Sequence, residues 1–165
     1  ARVSGDGELV LLEQQDRSQW DRALIREGIA LVERALATRR FGPYTLQAAI
    51  AAVHAEAAAP EATDWRQICA LYAALLAIQP SPVVELNRAV AVAMHEGPAA
   101  GLALVDALLA RGELQEYRLA HAARADFCRR LGRRDEARAA YERAQGLASS
   151  DAEKRFFEKR LRELG

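Results

Sequence analysis

A helix, a tight glycine turn and a second helix recur along this chain with a period of roughly thirty-four residues, and that recurrence constrains the fold more than any other feature. Gly97 and Gly132, 35 residues apart, each fall between two segments with an apolar stripe. Tyr72 and Tyr141 are 69 apart on matching helix faces, and Pro80 and Ser149 repeat that spacing where the same segments end. One helix pair of this length exposes apolar faces that it cannot cover, so the pairs must stack on one another.

The spacing of apolar residues and helix breakers predicts about eight helices. The most apolar is Ser81–Met94, where Ser81 suits a cap and Pro82 a first helical position. Val83, Leu86, Val90 and Ala93 form its stripe, Val84, Ala91 and Val92 widen it, and only Glu85, Asn87 and Arg88 interrupt it. It is expected at the centre of the array. Ahead of it, Ser18 and Asp21 approximate a capping box for a helix striped by Trp20, Leu24, Leu31 and Ala35, with Ile25 and Val32 beside them, ending near Ala37. Pro43 opens a second helix striped by Leu46, Ile50, Val53 and Ala57, which Pro60 closes after Ala59. Thr63 is the expected cap of a third, carrying Trp65, Ile68, Tyr72, Leu75 and Leu76.

Beyond Gly97-Pro98, Leu102, Val105, Leu108 and Leu109 mark a fifth helix up to Gly112, and a sixth is expected over residues 113–130. Leu131-Gly132 is a helix stop, residues 134–147 a seventh helix, and Ser149/Ser150 cap an eighth bearing Phe156, Phe157, Leu161 and Leu164. Connections this short place consecutive helices antiparallel, so the fold class is all-α, in antiparallel pairs. Residues 1–16 read as a linker or clasp, a hairpin or extended segment in which Gly5-Asp6-Gly7 separates Arg2-Val3 from Leu9–Leu12, and residues 17–165 as the helical domain. The chain opens without methionine, which is expected of a piece of a longer protein.

Composition narrows the function classes. A net charge of zero, with 28% charged residues, argues against a nucleic-acid or membrane-surface module, because both show a basic excess. Cys69 and Cys128, each inside a helical pattern, are expected as buried thiols in a reducing compartment. No signal peptide, lipidation motif or spanning stretch is visible, so a cytoplasmic location is expected. His95-Glu96 begins a zinc-protease string, but Ala99 stands where the second histidine belongs. His54, His95 and His121 are far apart in sequence, and no phosphate loop, nucleophile elbow or cysteine cluster is present. The expectation is a protein without catalysis, metal or cofactor.

In residues 119–148, the order Ala125, Leu131-Gly132, Asp135-Glu136-Ala137, Tyr141 and Ala144 resembles the tetratricopeptide repeat. There, small residues let the two helices of a hairpin touch, and the stack winds as a right-handed α–α superhelix. Cys128 departs from the pattern where an aromatic is common, and Ser149 where a proline is common. A longer set of motifs runs Gly42-Pro43-Tyr44-Thr45-Leu46-Gln47-Ala48-Ala49-Ile50-Ala51-Ala52-Val53-His54, then Thr63-Asp64-Trp65, then Ser81-Pro82-Val83-Val84-Glu85-Leu86-Asn87-Arg88-Ala89-Val90-Ala91. These, with residues 7–13 and Gln15-Asp16-Arg17-Ser18-Gln19-Trp20-Asp21 ahead of them, resemble the C-terminal, tetratricopeptide-like half of a group of extracytoplasmic-function (ECF) sigma factors.

That resemblance covers nearly the whole chain. It implies an alternative sigma factor that directs RNA polymerase to promoters, with this part regulating the promoter-reading half through contacts in the same polypeptide or with a signalling partner. The core-binding helices and the basic recognition helix are not found in these residues, so no direct contact with nucleic acid is expected of them, and none with a membrane. The competing class is a free-standing helical-repeat adaptor that binds a peptide and has no link to transcription.

Candidate contact residues follow. Asn87 and Arg88 are polar groups on the most apolar helix; they either satisfy helix ends or pair with acids such as Asp64, or Asn87 lines a groove that grips a peptide. Trp20 and Trp65, with Asp16-Arg17 and Thr63-Asp64 beside them, are either packing anchors and caps or ends where the sigma half docks. Leu9 and Leu11 belong to a run that could pack across the joint between the two halves. The cluster Arg129-Arg130 with Arg133-Arg134 is interleaved with Asp126, Asp135 and Glu136, which reads as a solvated salt-bridged corner.

Overall fold

A computed structural model of the chain describes residues 2–3 and 9–165. Among them, eight α-helices account for most of the backbone: α1 Arg22–Ala37, α2 Pro43–Glu56, α3 Trp65–Ile78, α4 Pro82–His95, α5 Pro98–Ala110, α6 Arg118–Arg130, α7 Arg134–Gly146 and α8 Asp151–Glu163. Two short strands, β1 Arg2–Val3 and β2 Leu9–Val10, pair antiparallel with Arg2 opposite Val10 and Val3 opposite Leu9. The expected turn at Gly5-Asp6-Gly7 lies outside the described residues. The fold is all-α, with consecutive helices packed as pairs in a helical-repeat arrangement. No helix is long and apolar enough to cross a membrane.

Two units divide the chain. Asp16–Ala91 forms one, and the other joins Val92–Gly165 to the segment ending at Gln15, so the chain passes between them within α4. In the first, α2 packs on both α1 and α3. Its core is Leu46, Ile50 and Val53 of α2, Ile68 and Leu75 of α3 and Ala91 of α4, with Leu36, Phe41, Trp65 and Tyr72 at its margin.

In the second unit α5 packs on α6, α6 on α7 and α7 on α8, and β2 rests on α8. The most extensive of these contacts is α6 on α7, and Ala120 and Ala125 of α6 and Ala137, Ala140 and Ala144 of α7 are buried. Small side chains there let the helix axes approach, and Tyr141 fills the space toward α8, its ring 6.3 Å from that of Phe157. Leu131-Gly132 ends α6 in a Schellman turn: Gly132 has φ +74°, Arg133 N–H donates to the Cys128 carbonyl at 2.9 Å, and Gly132 N–H to that of Arg129 at 3.1 Å. Arg124 on α6 reaches Asp106 of α5 at 2.7 Å and Glu136 of α7 at 3.2 Å, joining three helices.

Four local expectations need correction. α1 is capped by Asp21, which accepts from the N–H groups of Ala23 and Leu24, and α3 by Asp64, which accepts from Gln67; Ser18 and Thr63 do not cap them. α2 stops at Glu56, three residues short of the expected end, and Pro60 instead opens a single 3₁₀ turn, Pro60–Ala62. α6 starts at Arg118, five residues late. There Gly112 and Leu114 both take positive φ, the Gln115 side chain donates to the Leu109 carbonyl at 2.6 Å, and the Gln115 carbonyl meets His121 Nε2 at 2.8 Å. These bonds hold residues 111–116 as turns. In α1, finally, two members of the stripe expected to face inward face out: Leu24 and Leu31 are exposed, Trp20, Ile25, Val32 and Ala35 are half-buried, and no residue of the helix is fully buried.

Because Ala137 of α7 is fully buried, Ala137→Leu is expected to lower stability by about 1–3 kcal/mol through overpacking. Exposed Ala139, two residues on, is the control, with a change within about 0.5 kcal/mol for Ala139→Leu. Urea unfolding of the two variants gives the comparison; equal midpoints would rule out close packing at Ala137.

Candidate functional site

The sequence candidates Arg17, Trp20 and Trp65 come together at the C-terminal end of α2. A helix ends with carbonyls that have no partner inside the helix, and an arginine fork can supply the missing donors. Arg17, buried in a chain segment that precedes α1, donates from Nη1 to the carbonyls of His54 at 3.0 Å and Ala57 at 2.8 Å. Its guanidinium also lies 5.1 Å from the centre of the Trp20 ring. The segment is itself braced, since Asp16 accepts from Ser18 N–H at 3.0 Å, Ser18 Oγ at 2.6 Å and Gln19 Nε2 at 3.0 Å. Those bonds lower the Asp16 pKa.

On the same end of α2, the edge of one ring meets the face of the other where His54 and Trp65 pack at 5.1 Å between centroids. Burial lowers the His54 pKa, and the Arg17 charge lowers it further, so the imidazole is neutral at pH 7. His54 Nδ1, Thr63 Oγ1 and Arg17 Nε are buried with no hydrogen-bonding partner. Three orphaned polar atoms in one neighbourhood make this end of α2 costly to assemble.

The other candidates lie elsewhere. Asp64 is exposed and caps α3. Asn87 is exposed on α4, so it needs no buried partner, contrary to the expectation from the apolarity of its helix. Arg88 is half-buried and its Nε has no partner, whereas the Asp64 carboxylate accepts from Gln67 N–H at 2.9 Å. Burial on α4 falls on Leu86, Ala89, Ala91, Val92 and Ala93, while Val83 and Met94 are exposed. Leu9 of β2 borders a depression of about 170 Å³ with Gln14, Phe156 and Arg160 on its walls, and Leu11 is half-buried just before a 3₁₀ turn, Leu12–Gln14.

Sequence reasoning placed Arg17 and Trp20 side by side but missed the carbonyls that Arg17 serves, which lie 37 and 40 residues on and carry no local signal. His54 was missed as a member of the group for the same reason. Chemically, the cluster holds a fixed cation, a neutral imidazole and two indoles, which suits bracing. Among the described residues, no group of three or more His, Cys, Asp or Glu could hold a metal ion.

Arg17→Met should strand the two carbonyls and cost about 1–3 kcal/mol for each one left without a donor, measurable by urea unfolding followed through Trp20 and Trp65 fluorescence. An unchanged midpoint would remove Arg17 from its capping role. For His54, a folded pKa below the usual 6.5 means that the unfolded chain binds more protons between those two values. Stability is therefore complete above 6.5 and falls as pH drops from there toward the folded value, and His54→Phe should flatten that fall. Titration of the ring by NMR with a midpoint at or above 6.5 would reverse the sign.

Comparison with known proteins places residues 1–36 in a match to a family described as a family of unknown function, DUF6596. Over 164 residues, 99% of the chain, it is 49% identical to an uncharacterized protein of Rhizobium meliloti (strain 1021), of which it spans 38%. The chain thus covers about two-fifths of that relative's length. No solved structure matches it.

Proposed function

We propose that these residues are the C-terminal regulatory part of an extracytoplasmic-function sigma factor, acting in the cytoplasm by protein contact and without catalysis of its own. The observation that carries this reading is the ordered motif series at residues 42–54, 63–65 and 81–91, which falls on α2, on the start of α3 and on α4. The length of the Rhizobium relative supports it as well, since more than half of that protein lies outside the matched portion, room enough for polymerase-binding and promoter-reading regions. The packing also suits such a role. Arg17 ties the segment entering the helical part to the end of α2, so a force or contact on that segment reaches the helices through two hydrogen bonds.

In this reading the partners are the sigma regions of the same polypeptide and, through them, RNA polymerase; a signalling protein is a further partner. Transcription in vitro with core polymerase, using the full-length protein and a version ending just before residue 1, is the test. Promoter-directed transcripts whose yield changes between the two versions are expected. Absence of any promoter-directed transcript, or identical yields, would overturn the proposal and favour a helical adaptor unconnected with transcription.

A further inference from the structure

α1 carries two apolar stripes side by side, and the described fold leaves the leucines of one of them open. Ile25, Ile29, Val32 and Leu36 recur at helical spacing and are half-buried, with Leu36 packed on the core of α2 and α3. One residue back in the same rhythm, Leu24, Gly28, Leu31 and Ala35 form the second stripe, in which Gly28 and Ala35 are half-buried and the two leucines are open. Leu24 is 65% exposed and Leu31 52%, and a Cβ added at Gly28 would meet no atom within 4 Å. Two leucines seven residues apart, on a helix with no fully buried residue, make half of a helix–helix seam.

We propose that the missing half is a helix from the part of the full-length polypeptide that lies outside residues 1–165, packed along Leu24 and Leu31. This rests on the part of the reading above that makes the 165 residues a portion of a longer protein. The length of a relative argues for this occupant. The Rhizobium relative, similar over 99% of these residues, is matched over only 38% of its own length, so most of its polypeptide remains available to cover the stripe. The match to DUF6596 covers residues 1–36, which include α1 up to its last turn.

The test uses the full-length protein with single cysteines introduced as Leu24→Cys, Leu31→Cys and, on the exposed far side of the same helix, Glu33→Cys. Maleimide labelling followed peptide by peptide in a mass spectrometer separates each site from Cys69 and Cys128. Both leucines are more than half exposed, so replacing them leaves the core intact, and the buried Cys128 reports folding by staying unlabelled. At positions 24 and 31, labelling at least about tenfold slower than at 33, independent of protein concentration, is the expected result. Equal rates at the three positions would overturn the proposal, and so would protection that fades on dilution, which assigns the stripe to a second copy. The readout needs no promoter, so slow labelling in a protein that directs no transcription would keep the covered stripe and reject the sigma reading.

Discussion

Small side chains where helices cross set how near two helix axes can come, and the packing of α6 on α7 depends on them. With Ala120 and Ala125 of α6 and Ala137, Ala140 and Ala144 of α7 buried, small side chains leave room for close approach and dispersion between the helices, and Tyr141 and Phe157 fill space toward α8. Alanine also has the highest helix propensity, so the residues that permit close approach stabilise each helix before it packs. The polar links are then placed around this apolar contact: Arg124 spans α5, α6 and α7, and Arg118 reaches Glu153 of α8 at 2.7 Å.

The other unit solves a different problem. α2 ends in carbonyls that nothing in its own sequence can satisfy, and a buried arginine from a segment about forty residues earlier meets two of them. Burying a guanidinium is unfavourable unless its donors are used and its charge is met, and here carbonyl dipoles and the Trp20 face serve both needs in part. Arg17 Nε, His54 Nδ1 and Thr63 Oγ1 remain without partners, so the joint is held by a few strong contacts and lacks a complete network. An arrangement of that kind is more sensitive to changes at Arg17 than a fully satisfied one.

Helix starts were legible wherever proline marks them, at Pro43, Pro82 and Pro98, because the ring fixes φ and removes a donor in a way that depends on no distant residue. The stop at Leu131-Gly132 was legible for the same local reason. The end of α2 and the start of α6 were not: one depends on Arg17, the other on Gln115, His121 and the Leu109 carbonyl, all side-chain choices between segments. Of the candidate contact residues, Trp20 and Trp65 were legible as aromatics beside helix starts, whereas the exposure of Asn87 could not be read from an apolar helix whose burial is concentrated in its second half.

The sequence by itself determined that the chain is helical, where most helices begin and that adjacent helices pack as pairs, since periodicity, proline and glycine act within a turn or two of where they stand. Only the tertiary structure decided which of two adjacent stripes on α1 faces α2, that Arg17 serves the end of another helix, and that His54 stays neutral. Both stripes carry large aliphatic side chains in sequence, and the choice between them is made by the neighbour that arrives. Charge and hydrogen-bonding partners are likewise set by groups that meet only when the chain has closed on itself.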